Sequence, residues 1–240
     1  MTNIVISQSM YFPWVGLLEQ VRLADLFVHF DDVQFDRGFY NRVQVKTEHG
    51  LRWITVPLSK HRRDQTIDEI AVDNSKDWRK RHRDVLFQAY RKAPYFDDVL
   101  AVIDAVFEGP MTTLAEVSRA SLLALIDYFG LRAQCSFHDV RELGVAGSRS
   151  SRLRDIVLAL GGTTYITGHG AKNYLDHELF ECVGIAVRYM DYQHTPYPQL
   201  HGGFMPYVTG LDLIANCGRD GVAIIKSPSM DWRQFENATT

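Results

Sequence analysis

NIVISQSMYFPWVGLLEQVRLADLFVHF, residues 3–30, decides the fold. Its first six residues (3–8) form a compact apolar run, read as a buried strand. SMYFPWVG then turns, with Pro13 and Gly16 as breakers. Across 15–24, Leu17, Leu18, Val21 and Ala24 fall on one helical face. LFVHF (26–30) is a second apolar run, again a buried strand. Strand, short helix, strand is the opening of a right-handed βαβ unit. The expected class is α/β, Rossmann-like, with a mostly parallel sheet.

The texture changes after residue 38. FYNRVQVK and LRWITVPL flank TEHG, and Val43 and Val45 alternate with Arg42, Gln44 and Lys46. That pattern predicts an antiparallel hairpin with one wet face. Helical spacing follows over 77–92, where Trp78, His82, Val85 and Ala89 align and Asp77 is an N-cap. Ala93-Pro94 ends that helix. A second helix is expected over 96–107, from Val99, Ile103 and Val106. A third runs over 111–129, with Thr113 and Glu116 as a capping box and Gly130 at its end. The hairpin and these helices, about 39–130, read as an insertion or lid.

The α/β rhythm returns with a strand at 132–139, a loop at 142–150 and a helix at 151–160 stopped by Gly161-Gly162. Strands follow at 163–168 and 185–192, then a short helix at 209–218. Residues 1–226 read as a single domain carrying the insertion, and 227–240 as a loosely held tail.

The totals exclude several classes. Of 240 residues, 46% are hydrophobic and 23% charged, which fits a globular chain large enough for a substantial core. The net charge of −3 gives no basic excess to draw nucleic acid or an anionic membrane. No helix-turn-helix, zinc finger or RNP pattern is present. No run approaches the length of a membrane span, and no charged-then-apolar leader opens the chain. Cys135, Cys182 and Cys217 lie far apart in apolar surroundings, so free buried thiols in a reducing cytoplasm are expected. No spacing suggests zinc, and no metal ligands are assigned.

In open α/β sheets, ligands bind beyond the carboxyl ends of strands. Three polar loops fall there. The first is 8–14, with Gln8, Tyr11 and Trp14. The second is DDVQFDRGFYNR (31–42). Its Asp31 and Asp32 could hold a metal, accept from a ribose or serve as a base; solvated turn aspartates are the alternative. Gln34, Asn41 and Arg42 extend the cluster, and Arg42 suits a phosphate or carboxylate. Asp36 and Arg37 read as solvated turn residues. The third loop is TGHGAKNYLD (167–176). Gly168 and Gly170 there would let backbone N–H groups approach an anion, and Thr167 and Tyr174 flank them. It has neither P-loop nor GxGxxG spacing. A further stretch, YQHTPYPQLHGGFMPY (192–207), offers Tyr197 and Gln199 as pocket walls, and His194 as a base near neutral pH. RKRHRD (79–84) reads as a solvated helix face or as a phosphate contact, with His82 turned inward beside Trp78.

Together these stretches resemble the WbqC-like family. SQSMYFPWVGLL (7–18) stands where that family has HQPxYFPWxGYF, and DDVQFDRGFYNR where it has DDVQFxKxxYxNR. WITVP (53–57), the Trp78 and His82 helix before APYF (93–96), Tyr165 to Asp176 and LDLIANCG (211–218) complete the match. The resemblance implies a bacterial role among enzymes of O-antigen, lipopolysaccharide and other surface glycans. It implies a transferase that forms an amide by placing a glycine-type acyl group on a nucleotide-linked amino sugar. ATP or an activated acyl donor would be the co-reactant. On that reading Asp32 or His194 deprotonates the amine, and His82 is a third catalytic candidate. Arg42 and the 168–170 backbone hold phosphate, while Tyr11, Trp14, Tyr197 and Gln199 line the pocket. A non-catalytic sugar-nucleotide binding protein and a metal-assisted glycosyl transferase stay open as alternatives. So does a homodimer. The family's HQP is SQS here, so no histidine role passes to Ser7.

Overall fold

The computed structural model of the chain describes residues 1–36 and 38–238. It opens with β1 (Asn3–Ser7), α1 (Val15–Leu23) and β2 (Leu26–His29). An excursion follows: the hairpin β3 (Arg42–Thr47) and β4 (Gly50–Thr55), then α2 (Trp78–Tyr90), α3 (Phe96–Glu108) and α4 (Leu114–Tyr128). The chain returns through β5 (Ser136–Asp139), α5 (Arg149–Ala159), β6 (Thr164–Thr167), α6 (Glu178–Glu181) and β7 (Ala186–Met190). It closes with α7 (Gly210–Cys217), β8 (Ser229–Asp231) and α8 (Trp232–Ala238).

The main sheet has the order β5-β2-β1-β6-β7-β8. All its pairings are parallel except β7 with β8. The α/β class is therefore as expected, with the hairpin as a separate two-stranded sheet. Ile4 and Val5 are fully buried in the central strand, since helices cover both faces of a parallel sheet. Period-two alternation divides the core. Val5, Phe27 and Ile166 pack with α1 and the inserted helices, while Ile4, Ile6, Val28 and Tyr165 pack with α5 and Phe180.

The caps form as the sequence implies. The Thr113 hydroxyl accepts from Glu116 N at 3.3 Å, and Thr113 N donates to the Glu116 carboxylate at 3.0 Å. Asp77 caps α2 by accepting from Lys80 N at 3.1 Å. The strand expected at 132–139 is shorter, because Leu131–Gln134 wind into a 3₁₀ turn before β5. No helix among the described residues is long and apolar enough to cross a membrane.

Two expectations need correction. The segment after 226 is built into the fold. β8 pairs antiparallel with β7, and Arg188 Nε donates to the Ser229 hydroxyl at 2.9 Å. Phe235 is buried and stacks on the Tyr189 ring, centroids 4.3 Å apart. Three-residue strands carry too little periodicity to be seen in sequence. The cysteines are free, but only Cys135 is buried; Cys182 is exposed in the turn that ends α6. Burial pushes the Cys135 thiol up to about 12, which leaves it inert.

Strand order fixes the place for a ligand. From β1 the chain steps to β2 and β5 on one side, while β6 and β7 lie on the other. The carboxyl ends of β1 and β6 thus flank the topological switch point, where connections part and leave a crevice.

Candidate functional site

Loops from three strands meet at that switch point. Gln8 follows β1, Gly168 to Gly170 follow β6, and Tyr192 and His194 follow β7. Trp14, at the start of α1, lies 4.7 Å from the Tyr192 ring and 5.2 Å from Tyr207. His194 lies 4.2 Å from Tyr192 and 5.1 Å from Tyr207. Four aromatic side chains therefore form one cluster. Gly16 makes room for the Trp14 ring, and Gly168 for the Gln20 side chain. A methyl on Gly16 would fall 2.2 Å from the Trp14 ring, and one on Gly168 would fall 2.9 Å from the Gln20 amide nitrogen.

His194 is unusual in two ways. Its φ is 47°, a left-handed backbone that costs a non-glycine residue about 1–3 kcal/mol. Its Nε2 is buried and has no hydrogen-bond partner among the described residues. Burial lowers its pKa, and His169 nearby lowers it further, so the imidazole is neutral at neutral pH. His169 donates from Nε2 to the Met190 carbonyl at 2.7 Å. Strained backbone and unsatisfied buried nitrogens collect at sites of function.

Asp31 and Asp32 do not act as one pair. Asp31 is fully buried and accepts from Ser9 N at 2.8 Å, the Ser9 hydroxyl at 2.8 Å and Arg119 Nε at 2.6 Å. Arg119 also bonds Asp139. Burial pushes the Asp31 carboxyl up, while Arg119 and Ser9 oppose that rise. Because the Ser9 hydroxyl gives its proton to Asp31, the His29 contact at 2.9 Å has His29 Nδ1 as donor. Asp32 turns to α5, where Arg152 holds both its oxygens, one at 3.0 Å and one at 2.5 Å. Bidentate pairing leaves Asp32 poorly placed to take a proton. No group of three metal-ligating side chains occurs among the described residues.

The loop at 8–14 is pinned to the insertion. Tyr11 is fully buried, and its hydroxyl donates to His82 Nδ1 at 2.9 Å. His82 Nε2 donates to the Thr55 carbonyl at 3.1 Å, which fixes the tautomer. Burial lowers His82 to about 4, so it is a neutral tether between the loop and β4. Tyr11→Phe should leave Nδ1 unpaired and cost about 1–3 kcal/mol in urea unfolding. A loss under about 0.5 kcal/mol would show that the tether carries no weight.

Other residues singled out in the sequence stand apart from the crevice. Asn41 Nδ2 donates to Val56 O at 3.2 Å, and Gln34 Nε2 to Arg63 O at 2.9 Å. The Arg42 guanidinium lies 4.6 Å from the Trp53 ring, with its Nε buried and without a hydrogen-bond partner among the described residues. Asn41 and Arg42 border a cavity of about 330 Å³ with Phe35 and His61. Asp36 is exposed, and Arg37 lies outside the described residues. Thr167 is buried and accepts from the Tyr165 hydroxyl at 3.4 Å; Tyr174 is 61% exposed.

Tyr197 and Gln199 anchor their own loop. The Tyr197 hydroxyl donates to Asp212 at 3.1 Å. The Gln199 carbonyl accepts from Lys46 Nζ at 3.2 Å and from Met205 N at 2.8 Å. Lys46, expected on a wet strand face, is buried because Gln199, Gly202 and Gly203 supply three acceptors. Burial raises Asp212 to about 6, with the Tyr197 hydrogen bond and Lys46 opposing. The folded state then binds that proton more tightly than the unfolded chain. Its contribution is full below the unfolded carboxylate pKa and is lost as pH rises through 6. Two pK units amount to about 3 kcal/mol. Denaturant unfolding of Asp212→Asn should show that slope gone between pH 4 and pH 7; an unchanged slope would remove Asp212 as its source.

Sequence reasoning did not find Ser9, His29 or Arg119. Their signal was absent because Arg119 reaches Asp31 across 88 positions. Ser9 stands where the family pattern has proline, which offers neither an N–H nor a hydroxyl, so the change from HQP to SQS supplies both donors to Asp31.

Residues 8–224 match the WbqC-like protein family. The chain is 34% identical to the uncharacterized protein Rv1507c of Mycobacterium tuberculosis over 224 residues, 92% of this chain and 96% of that protein. No solved structure matches. With a family match over most of its length and a full-length relative, the chain belongs to the WbqC-like protein family.

Proposed function

We propose that the switch-point crevice binds a nucleotide-linked amino sugar and that the protein transfers a glycine-type acyl group to its amine, in bacterial surface-glycan biosynthesis. The neutral imidazole of His194, whose Nε2 has no hydrogen-bond partner among the described residues, carries this reading from within an aromatic cluster. Flat rings of Trp14, Tyr192 and Tyr207 suit a base or a sugar face. Backbone at 168–170 suits the diphosphate.

In the step itself, the amine nitrogen attacks the acyl carbon of an activated donor. The N–C bond forms and the bond to the leaving group breaks, with the electron pair departing on that group. The loop carrying His194 opens Nε2, buried in the free chain, to the bound amine, and the amine proton passes to it. ATP-derived or thioester activation of the acyl group supplies the leaving group. The metal-assisted alternative draws less support, since Asp31 and Asp32 each hold an arginine.

A melting screen of the full chain with nucleotide-linked amino sugars, neutral nucleotide sugars and free nucleotides tests the binding half. A ligand at a hundredfold excess over its Kd should stabilise the chain by about 2.7 kcal/mol. Amino-sugar nucleotides are expected to raise the melting temperature most. No shift from any nucleotide sugar would overturn the crevice assignment.

A further inference from the structure

A groove of about 870 Å³ lies between the β3–β4 hairpin and α2, with Leu200 and His201 also lining it. Its size matches a cofactor-sized ligand. The floor is apolar: Ile54, Trp78 and Ala89 are buried there. The rim is cationic, with Arg52, Arg81, Arg91 and Lys92 all exposed. None of the four forms an ion pair among the described residues. Of the two carboxylates lining the groove, Asp84 is already bonded to Lys80 at 2.7 Å. A positive rim on a chain of net charge −3 runs against the average surface.

Helix electrostatics explain only part of that rim. Arg91 and Lys92 follow the end of α2, where cations complement the macrodipole. Arg81 stands near the helix start, where the dipole disfavours it, and Arg52 is on β4. Arg81, Val85 and Gln88 fall at helical spacing, so one face of α2 presents charge, apolar surface and amide in line, with Lys92 beyond its end. At the far side, His201 is held at φ 65° and donates from Nε2 to the Ala89 carbonyl at 2.8 Å. A second strained histidine thus fixes the wall of a second cavity.

We infer that this groove is a separate ligand site that takes an organic phosphate. The apolar body rests on Ile54 and Ala89, and the phosphate meets Arg52 and Arg81. The site goes beyond the crevice reading and uses none of its residues. Guanidinium groups bind phosphate by paired, charge-assisted hydrogen bonds. Nucleotides and phosphopantetheine compounds share this chemistry.

Calorimetric titration of the full chain with ADP, coenzyme A and inorganic pyrophosphate tests it. ADP or coenzyme A is expected to bind, more tightly than pyrophosphate and less tightly as salt rises. Whichever binds identifies the source. The double variant R52E/R81E should weaken binding at least about tenfold, the loss of one charge-assisted contact or more. Gln88→Trp should also weaken it, by filling the mouth. These positions are exposed, so melting temperatures should stay at the wild-type value. His194→Ala should leave this binding unchanged. Absence of ADP and coenzyme A binding at millimolar concentration would overturn the site. So would wild-type affinity in both groove variants, or pyrophosphate binding as tightly as the organic ligands. Amino-sugar nucleotide binding is followed in the same variants: its retention in both groove variants keeps the crevice reading standing whatever the groove does.

Discussion

Arg119→Ala is expected to lower the folding free energy by about 3–5 kcal/mol, the cost of leaving a buried charge without its partner. Arg119 reaches from α4 to Asp31 beyond β2 and to Asp139 at the end of β5. It is the clamp that holds the insertion on the sheet. Asp31 has no exposure, so water cannot replace the guanidinium. Burial already pushes Asp31 up, and losing Arg119 removes the strongest opposing charge. In the variant, the folded state should hold an extra proton over a wider range. Its deficit should therefore grow as pH rises above the ordinary carboxylate range and shrink in acid. Combining Arg119→Ala with Asp31→Asn removes the stranded charge and should recover part of the loss. Denaturant titrations across pH measure all three. A loss below about 1 kcal/mol at pH 7 would mean the clamp adds no more than a surface pair.

His194→Ala should reduce turnover by about 10²–10⁴-fold, the range for removing a general base, while the Kd for the sugar nucleotide stays within a few-fold. The pH profile separates this role from a structural one. A base must be unprotonated to act, and burial lowers the pKa of His194. The wild-type rate should therefore climb with pH in acid and level off below the pH at which an ordinary histidine would. The variant should lack that limb. Full turnover in the variant would end the assignment. Loss of binding with turnover per bound substrate retained would make His194 a positioning residue.

Much of the architecture was legible because its signals are local. Apolar runs at 3–8 and 26–30 marked buried parallel strands, and Thr113 with Glu116 marked a helix start within four residues. The site was less legible because its signals are not local. Asp31 and Asp32 are neighbours in sequence, yet one turns to α4 and the other to α5. Lys46 follows the wet-face alternation of its strand, yet three acceptors from residues 199–203 bury it. His82 reads as chemistry, but its two hydrogen bonds make it a strut. His194 alone among the three catalytic candidates keeps a ring nitrogen without a partner among the described residues.

The antiparallel β8 has a consequence for the growing chain. β7 is complete well before β8 leaves the ribosome, and over that interval its outer row of backbone donors and acceptors is unclaimed. An open strand edge recruits any extended segment nearby. Arg188, which later binds Ser229, stands in the middle of β7 as a charge that discourages such pairing. The last strand thus acts as a stopper: its arrival covers the β7 edge and leaves at that side of the sheet a strand of three residues, too short to recruit a stranger.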